Sequence, residues 1–124
     1  MNFALTEEQE LLTATLRRFA DKDVRTWAPD ADRQGQPPDT LFQVGARLGL
    51  FVDAVPETAG GLMEGRFSHL SRALRGIELG RGCAGLAAVL ESNVEPALAV
   101  GRWGSADLQA QIFAELRDGA LLAM

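Results

Sequence analysis

Thr6-Glu7-Glu8-Gln9-Glu10-Leu11-Leu12-Thr13-Ala14-Thr15-Leu16-Arg17-Arg18-Phe19 is the stretch that decides the fold class. Thr6 and Gln9 are spaced as a capping box, in which the Thr6 hydroxyl accepts from the Gln9 backbone N–H and the Gln9 side chain reaches back. Glu7 and Glu8 favour the positive end of the helix that starts there. Leu12, Leu16 and Phe19 recur at i, i+4 and i+7, while Arg17, Arg18, Asp21 and Lys22 cover the other face. A helix with one apolar stripe needs a partner, and the same grammar continues along the chain.

Val24, Trp27 and Ala28 extend a shorter helical turn, which Pro29 and the loop from Gln34 to Pro37 should interrupt. Pro38 suits a first helical position, with Leu41, Val44 and Leu48 on one face and Gly49 as the stop. Val52 to Val55 is a short apolar run that Pro56, Ala59, Gly60 and Gly61 turn into a loop. Phe67, Leu70, Leu74 and Ile77 form a bundle-facing seam, with Arg72 and Arg75 outside it and a weakening at Gly80 and Gly82. The stretch from Ala84 to Val100 is apolar almost all round and predicts the central, most buried helix, kinked or broken by Pro96. Ser105 can cap a last helix whose inward stripe is Leu108, Ile112 and Leu116 and whose end is Gly119. These patterns predict an all-α, largely antiparallel bundle of about five or six helices over residues 1–119. Residues 120–124, closing on Leu121-Leu122-Ala123-Met124, read as the start of a strand in a further β domain.

Composition narrows the partners. The chain has 124 residues, 47% hydrophobic, with a net charge of -5. An acidic surface argues against nucleic acid and against an anionic membrane surface. No apolar run approaches bilayer length, so no membrane span is expected. Cys83 is the only cysteine, which precludes an internal disulfide and fits a reducing compartment. Met1-Asn2-Phe3-Ala4-Leu5 runs straight into Glu7 and Glu8, unlike a secretion or transit signal, and a cytoplasmic protein is expected.

No catalytic or metal-binding constellation is assigned. His69 lies beside the seam without Cys, Asp or Glu at i+3 or i+4, and reads as a solvated helix histidine. Ser68 and Ser71 lack an acid at useful spacing and a nucleophile-elbow motif. Cys83 has small apolar neighbours and reads as a core thiol. Gly80-Arg81-Gly82-Cys83-Ala84-Gly85 literally satisfies G-x-G-x-x-G, but the residues before it have a helical period, not a strand. A tight helix-to-helix turn is the better reading. Glu91 and Glu95 stand one helical turn apart on an apolar helix; they either rim a pocket or occupy the solvated side, and the second reading is the simpler. Asp30, Asp32, Glu78 and Asp107 look like surface or capping groups.

Taken in order, Leu5-Thr6-Glu7-Glu8-Gln9-Glu10-Leu11-Leu12, Arg18-Phe19-Ala20, Leu48-Gly49-Leu50, Val55-Pro56-Glu57-Thr58-Ala59-Gly60-Gly61-Leu62, Ile77-Glu78-Leu79-Gly80-Arg81-Gly82 and Trp103-Gly104-Ser105 resemble one family. The chain is similar, over nearly all its length, to the N-terminal helical domain of acyl-CoA dehydrogenases.

The resemblance implies a larger flavoenzyme. Its full-length members add a middle β domain and a C-terminal helical domain and bind FAD between those two. A glutamate from the C-terminal domain removes the α-proton of an acyl-CoA while the β-hydrogen passes as hydride to the flavin, and electrons usually leave to an electron-transfer flavoprotein. Residues 120–124 would then lead into the middle domain, and no catalytic or cofactor-binding residue is expected on this chain, which alone should be inactive. A homo-oligomer is implied for the full-length protein. The pocket-lining turn falls by resemblance on Ala87, Ala88, Glu91 and Glu95. Many relatives are apolar there, so the two acids favour short or polar acyl groups. Met63-Glu64-Gly65-Arg66 replaces the further glycines usual after Gly61-Leu62. A free-standing helical interaction module, or a non-catalytic subunit completed by a partner chain, are the competing readings.

Overall fold

The computed structural model describes residues 4–122. Among these residues the chain is all-α, with α1 (Glu7–Phe19), α2 (Arg25–Gln34), α3 (Asp39–Arg47), α4 (His69–Gly82), α5 (Ala84–Glu91), α6 (Val94–Trp103) and α7 (Ala106–Arg117). The only pairing of strand type among them is a single bridge between Pro56 and Met63. Two compact units can be distinguished, one of Met1–Pro37 with Ser68–Ala88 and one of Pro38–Phe67 with Val89–Met124.

The first unit is built on α1, and its start follows the capping box. Thr6 Oγ1 accepts from the Gln9 N–H at 3.2 Å, and the Thr6 N–H donates to Gln9 Oε1 at 3.1 Å. Leu16 and Phe19 are buried as the stripe requires. The expected interruption at Pro29 does not occur. A π turn, Ala20–Val24, joins α1 to α2, and α2 runs through Pro29 to Gln34. Arg25 and Pro29 are both exposed, so solvent can satisfy the Arg25 carbonyl that Pro29 leaves without a donor. The ring edge of Trp27 meets Phe19 at 6.0 Å between centroids.

α4 packs on α1 and the π turn, but not through the expected seam. Leu70 and Ile77 are 54% and 61% exposed, Leu74 is half-buried, and Phe67 precedes the helix and packs in the second unit. The buried face carries Arg75, Glu78 and Leu79. Arg75 is therefore inside rather than outside, and Glu78 is not a surface group. Gly82 completes this face: a Cβ there would stand 2.8 Å from the Ala20 carbonyl oxygen and 2.9 Å from the Val24 side chain. Only glycine lets the backbones come that close.

In the second unit α3 begins at Asp39, with Pro38 as the N-cap rather than the first helical residue. Gly49 and Gly119, both with positive φ, follow α3 and α7 as the expected stops. The turns between α3 and α4 bury Leu50, Phe51, Ala54 and Val55, so this loop is part of the core. Gly61 folds back on it so tightly that a Cβ would lie 2.0 Å from the Val55 carbonyl oxygen. Ala54, Val55, Val94, Ala97, Phe113 and Leu116 form one apolar cluster. Leu108, expected inside, is 43% exposed, and Phe113 takes the inward place beside Leu116.

The Ala84–Val100 stretch is broken, as Pro96 predicts, although the break lies at Ser92 and Asn93. Pro96 is the third residue of α6, where its missing N–H has no helical partner to lose. Leu86, Ala87, Leu90, Val94, Pro96 and Ala97 are buried along the stretch, while Ala84, Gly85 and Ala88 are exposed. Residues 120–122 carry no regular secondary structure, and the rest of the expected strand lead, Ala123 and Met124, lies outside the described residues.

Candidate functional site

The turn singled out by resemblance is split by the helix break. Ala87 is buried and Ala88 exposed, both in α5, and Glu91 is the last residue of that helix. Glu95 is exposed and sits in the first turn of α6. The two acids thus belong to two helices and are not neighbours on one helical face. Their surroundings differ too. A carboxylate in the first turn of a helix meets the positive end of its dipole, which accounts for Glu95. Glu91 is half-buried at the negative end of α5, where the dipole disfavours it. Between them Leu90 is fully buried at the point where α3 comes close: a Cβ on Gly45 would lie 2.9 Å from both Leu90 Cδ2 and Phe51 Cζ. Glu91 therefore follows a firmly packed residue.

The string Gly80 to Gly85 is the α4–α5 joint. Gly80 and Gly82 are helical, and the Cα of Gly82 is backed by Ala20 and Val24. No open strand-to-helix turn exists there to cradle a pyrophosphate. Cys83 at this joint is half-buried rather than a core residue. His69 is exposed in the first turn of α4, next to the cap formed by Ser68 Oγ and the Ser71 N–H. Among the described residues no three His, Cys, Asp or Glu side chains are grouped to hold a metal ion.

A charged cluster surrounds Glu78, whose side chain is 5% exposed. Arg17 grips it with both arms of its fork, Nε at 3.0 Å from Oε2 and Nη2 at 2.7 Å from Oε1. Arg81 approaches the same carboxylate at 3.4 Å and reaches Asp21 at 3.3 Å. Arg25 donates to the Arg81 carbonyl at 3.1 Å. The hydrogen bond from Arg17 holds the Glu78 carboxyl below its ordinary pKa, against the opposing effect of burial. The same bond raises Arg17. This cluster ties α4 to α1 and the π turn. Glu78-Leu79-Gly80-Arg81-Gly82 thus supplies an ion pair, a buried leucine, a bridging arginine and a close-approach glycine to one joint.

Sequence reasoning passed over one further residue. Asn93, 1% exposed, donates from Nδ2 to the Ala120 carbonyl at 2.8 Å and accepts at Oδ1 from the Leu122 N–H at 2.7 Å. The one local signal was a polar Ser-Asn pair inside an apolar stretch, just ahead of a proline.

The model of the acyl-CoA dehydrogenase N-terminal domain matches residues 6–120, from the capping threonine to the residue that Asn93 holds. The chain belongs to this family. Relatives include the acryloyl-CoA reductase (NADH) of Anaerotignum propionicum, 28% identical over 98% of this chain and 30% of the relative. The cyclohex-1-ene-1-carbonyl-CoA dehydrogenase of Geobacter metallireducens is 32% identical over 85% of this chain and 27% of its own length. The human mitochondrial short-chain specific acyl-CoA dehydrogenase is 30% identical over 72% and 21%. The chain thus spans less than a third of the length of these relatives. No solved structure gives a significant match. No helix among the described residues is long and apolar enough to cross a membrane.

Proposed function

We propose that this chain acts as the N-terminal helical domain of a flavoenzyme that dehydrogenates an acyl-CoA thioester at its α,β bond, with residues 1–119 as that domain and residues 120–124 leading into a middle β domain. The observation that carries the reading is the family match across residues 6–120. FAD belongs to the parts of such an enzyme outside this chain: the one glycine-rich string here does not fit a dinucleotide, because Val24 and Ala20 fill the space behind Gly82. When bound, FAD would supply the hydride acceptor, and an electron-transfer flavoprotein would take the electrons onward.

The chain's own contribution is a section of acyl-pocket wall at Ala87, Ala88, Glu91 and Glu95. Of these Glu91 matters most, since it is half-buried whereas Glu95 is exposed. A long apolar tail ending at Glu91 would desolvate a carboxylate, so short or polar acyl groups are preferred. The test is a chain-length series on the FAD-loaded enzyme containing this domain. Glu91→Leu is expected to shift relative kcat/KM toward longer chains by about tenfold, equivalent to about 1.4 kcal/mol of differential transition-state binding. Glu95→Leu should leave the profile in place. An unchanged profile in Glu91→Leu would remove the pocket-wall role, and absence of enoyl-CoA formation in the wild type would remove the reaction.

A further inference from the structure

Asn93 bonds to the main chain on either side of Leu121: the carbonyl of Ala120 and the N–H of Leu122. A residue in a neighbouring parallel strand engages the same two groups of an extended chain through its own N–H and C=O. The side-chain amide, with a donor and an acceptor fixed in one plane, offers the same pair of groups. At 1% exposure, losing either bond would leave a buried polar group unsatisfied, which is costly. Asn93 caps no helix with its side chain, since α6 starts from it without a side-chain bond. Its main-chain carbonyl is separately used by the Ala97 N–H at 3.0 Å. Leu122 also packs against the apolar cluster of the second unit, so the held segment is seated as well as bonded.

We infer that Asn93 is a positioning residue: its amide stands in for one rung of a parallel sheet, holds residues 120–122 extended, and ties the chain beyond α7 to the break between α5 and α6. The direction in which the chain continues after α7 is then set by a side chain at the helix break that carries Glu91. This coupling does not depend on the acyl-pocket reading, because no acyl group takes part in it.

Amide hydrogen exchange in the full chain tests it, with Asn93→Leu removing both bonds and Asn93→Asp keeping only the acceptor. In Asn93→Leu the Leu122 amide is expected to exchange at least about tenfold faster relative to the Ala97 amide, whose bond uses the Asn93 main chain. In Asn93→Asp the Leu122 amide should be affected less than in Asn93→Leu. Leu122→Pro deletes the N–H from the opposite side, and the side-chain amide protons of Asn93 should then exchange at least about tenfold faster. If Asn93→Leu does not fold, Asn93→Asp and Leu122→Pro carry the test alone. Equal acceleration at Leu122 and Ala97, or no acceleration at Leu122, would overturn the proposal, as would Asn93 side-chain protons indifferent to Leu122→Pro.

Discussion

The first unit buries charged side chains, and the second buries a neutral amide among hydrocarbon. Around Leu16, Phe19 and Leu79, the joint between α1 and α4 is completed by Arg17, Glu78, Arg81 and Asp21. Around Val94, Ala97, Phe113 and Leu116, the only buried polar side chain among the described residues is Asn93, which has no charge to titrate. The contrast teaches that one all-α chain can bury polar side chains in two ways, and that the charged way brings pH and salt sensitivity with it. Ion pairs with an exposed partner weaken with salt, whereas apolar burial and a buried amide do not.

The largest effect that would break this contrast is expected in the second unit. Phe113→Ala should cost about 3–5 kcal/mol, measured by chemical denaturation, because a large ring leaves a sealed cluster. A small loss would mean that the cluster is not the second unit's main support. Next comes the face of α4. Leu79→Ala should cost about 2–5 kcal/mol and Ile77→Ala less than about 1 kcal/mol, since Leu79 is fully buried and Ile77 is 61% exposed. The reverse order would restore the seam read from the sequence.

A smaller loss sharpens the account of the α4–α5 joint. Gly82→Ala forces a Cβ against a backbone carbonyl and should cost about 1–3 kcal/mol, visible as a lowered Tm. Smallest, and most specific to the charged unit, is Glu78→Gln, at about 1–2 kcal/mol near neutral pH. Its folded pKa is depressed, so Glu78 contributes stability above its ordinary pKa, and that contribution is lost as the pH falls through the folded value. Wild type and Glu78→Gln should therefore converge in acid and separate toward neutrality. A gap that stays constant with pH would assign the loss to packing rather than charge.

The sequence made some elements legible and hid others for physical reasons. The capping box at Thr6 and Gln9, the stops at Gly49 and Gly119 and the cap at Ser105 are local, so a window of a few residues contains the whole cause. The inward face of α4 is not local. Hydrophobicity selects Leu70, Leu74 and Ile77, whereas Glu78 turns inward because Arg17, 61 residues earlier, waits for it. Pro29 misled because a proline rule assumes that the freed carbonyl has no solvent to face. Near the candidate site the sequence predicts a break in the stretch but places it at Pro96, because Asn93 at the actual break bonds to residues 27 and 29 positions away.

The π turn at Ala20–Val24 acts as a slack link in the numbering of the helix. It takes up one residue more than an α turn of the same height, so the chain emerges into α2 with its angular phase intact and Trp27 meets Phe19. Were the same residues wound as regular α-helix, everything after them would swing by about 100° around the axis, and Trp27 would leave its partner. Length changes in this first rod are therefore not equivalent: one residue removed within 20–24 is absorbed by straightening the turn, and one removed from the middle of α1 throws the whole of α2 out of phase.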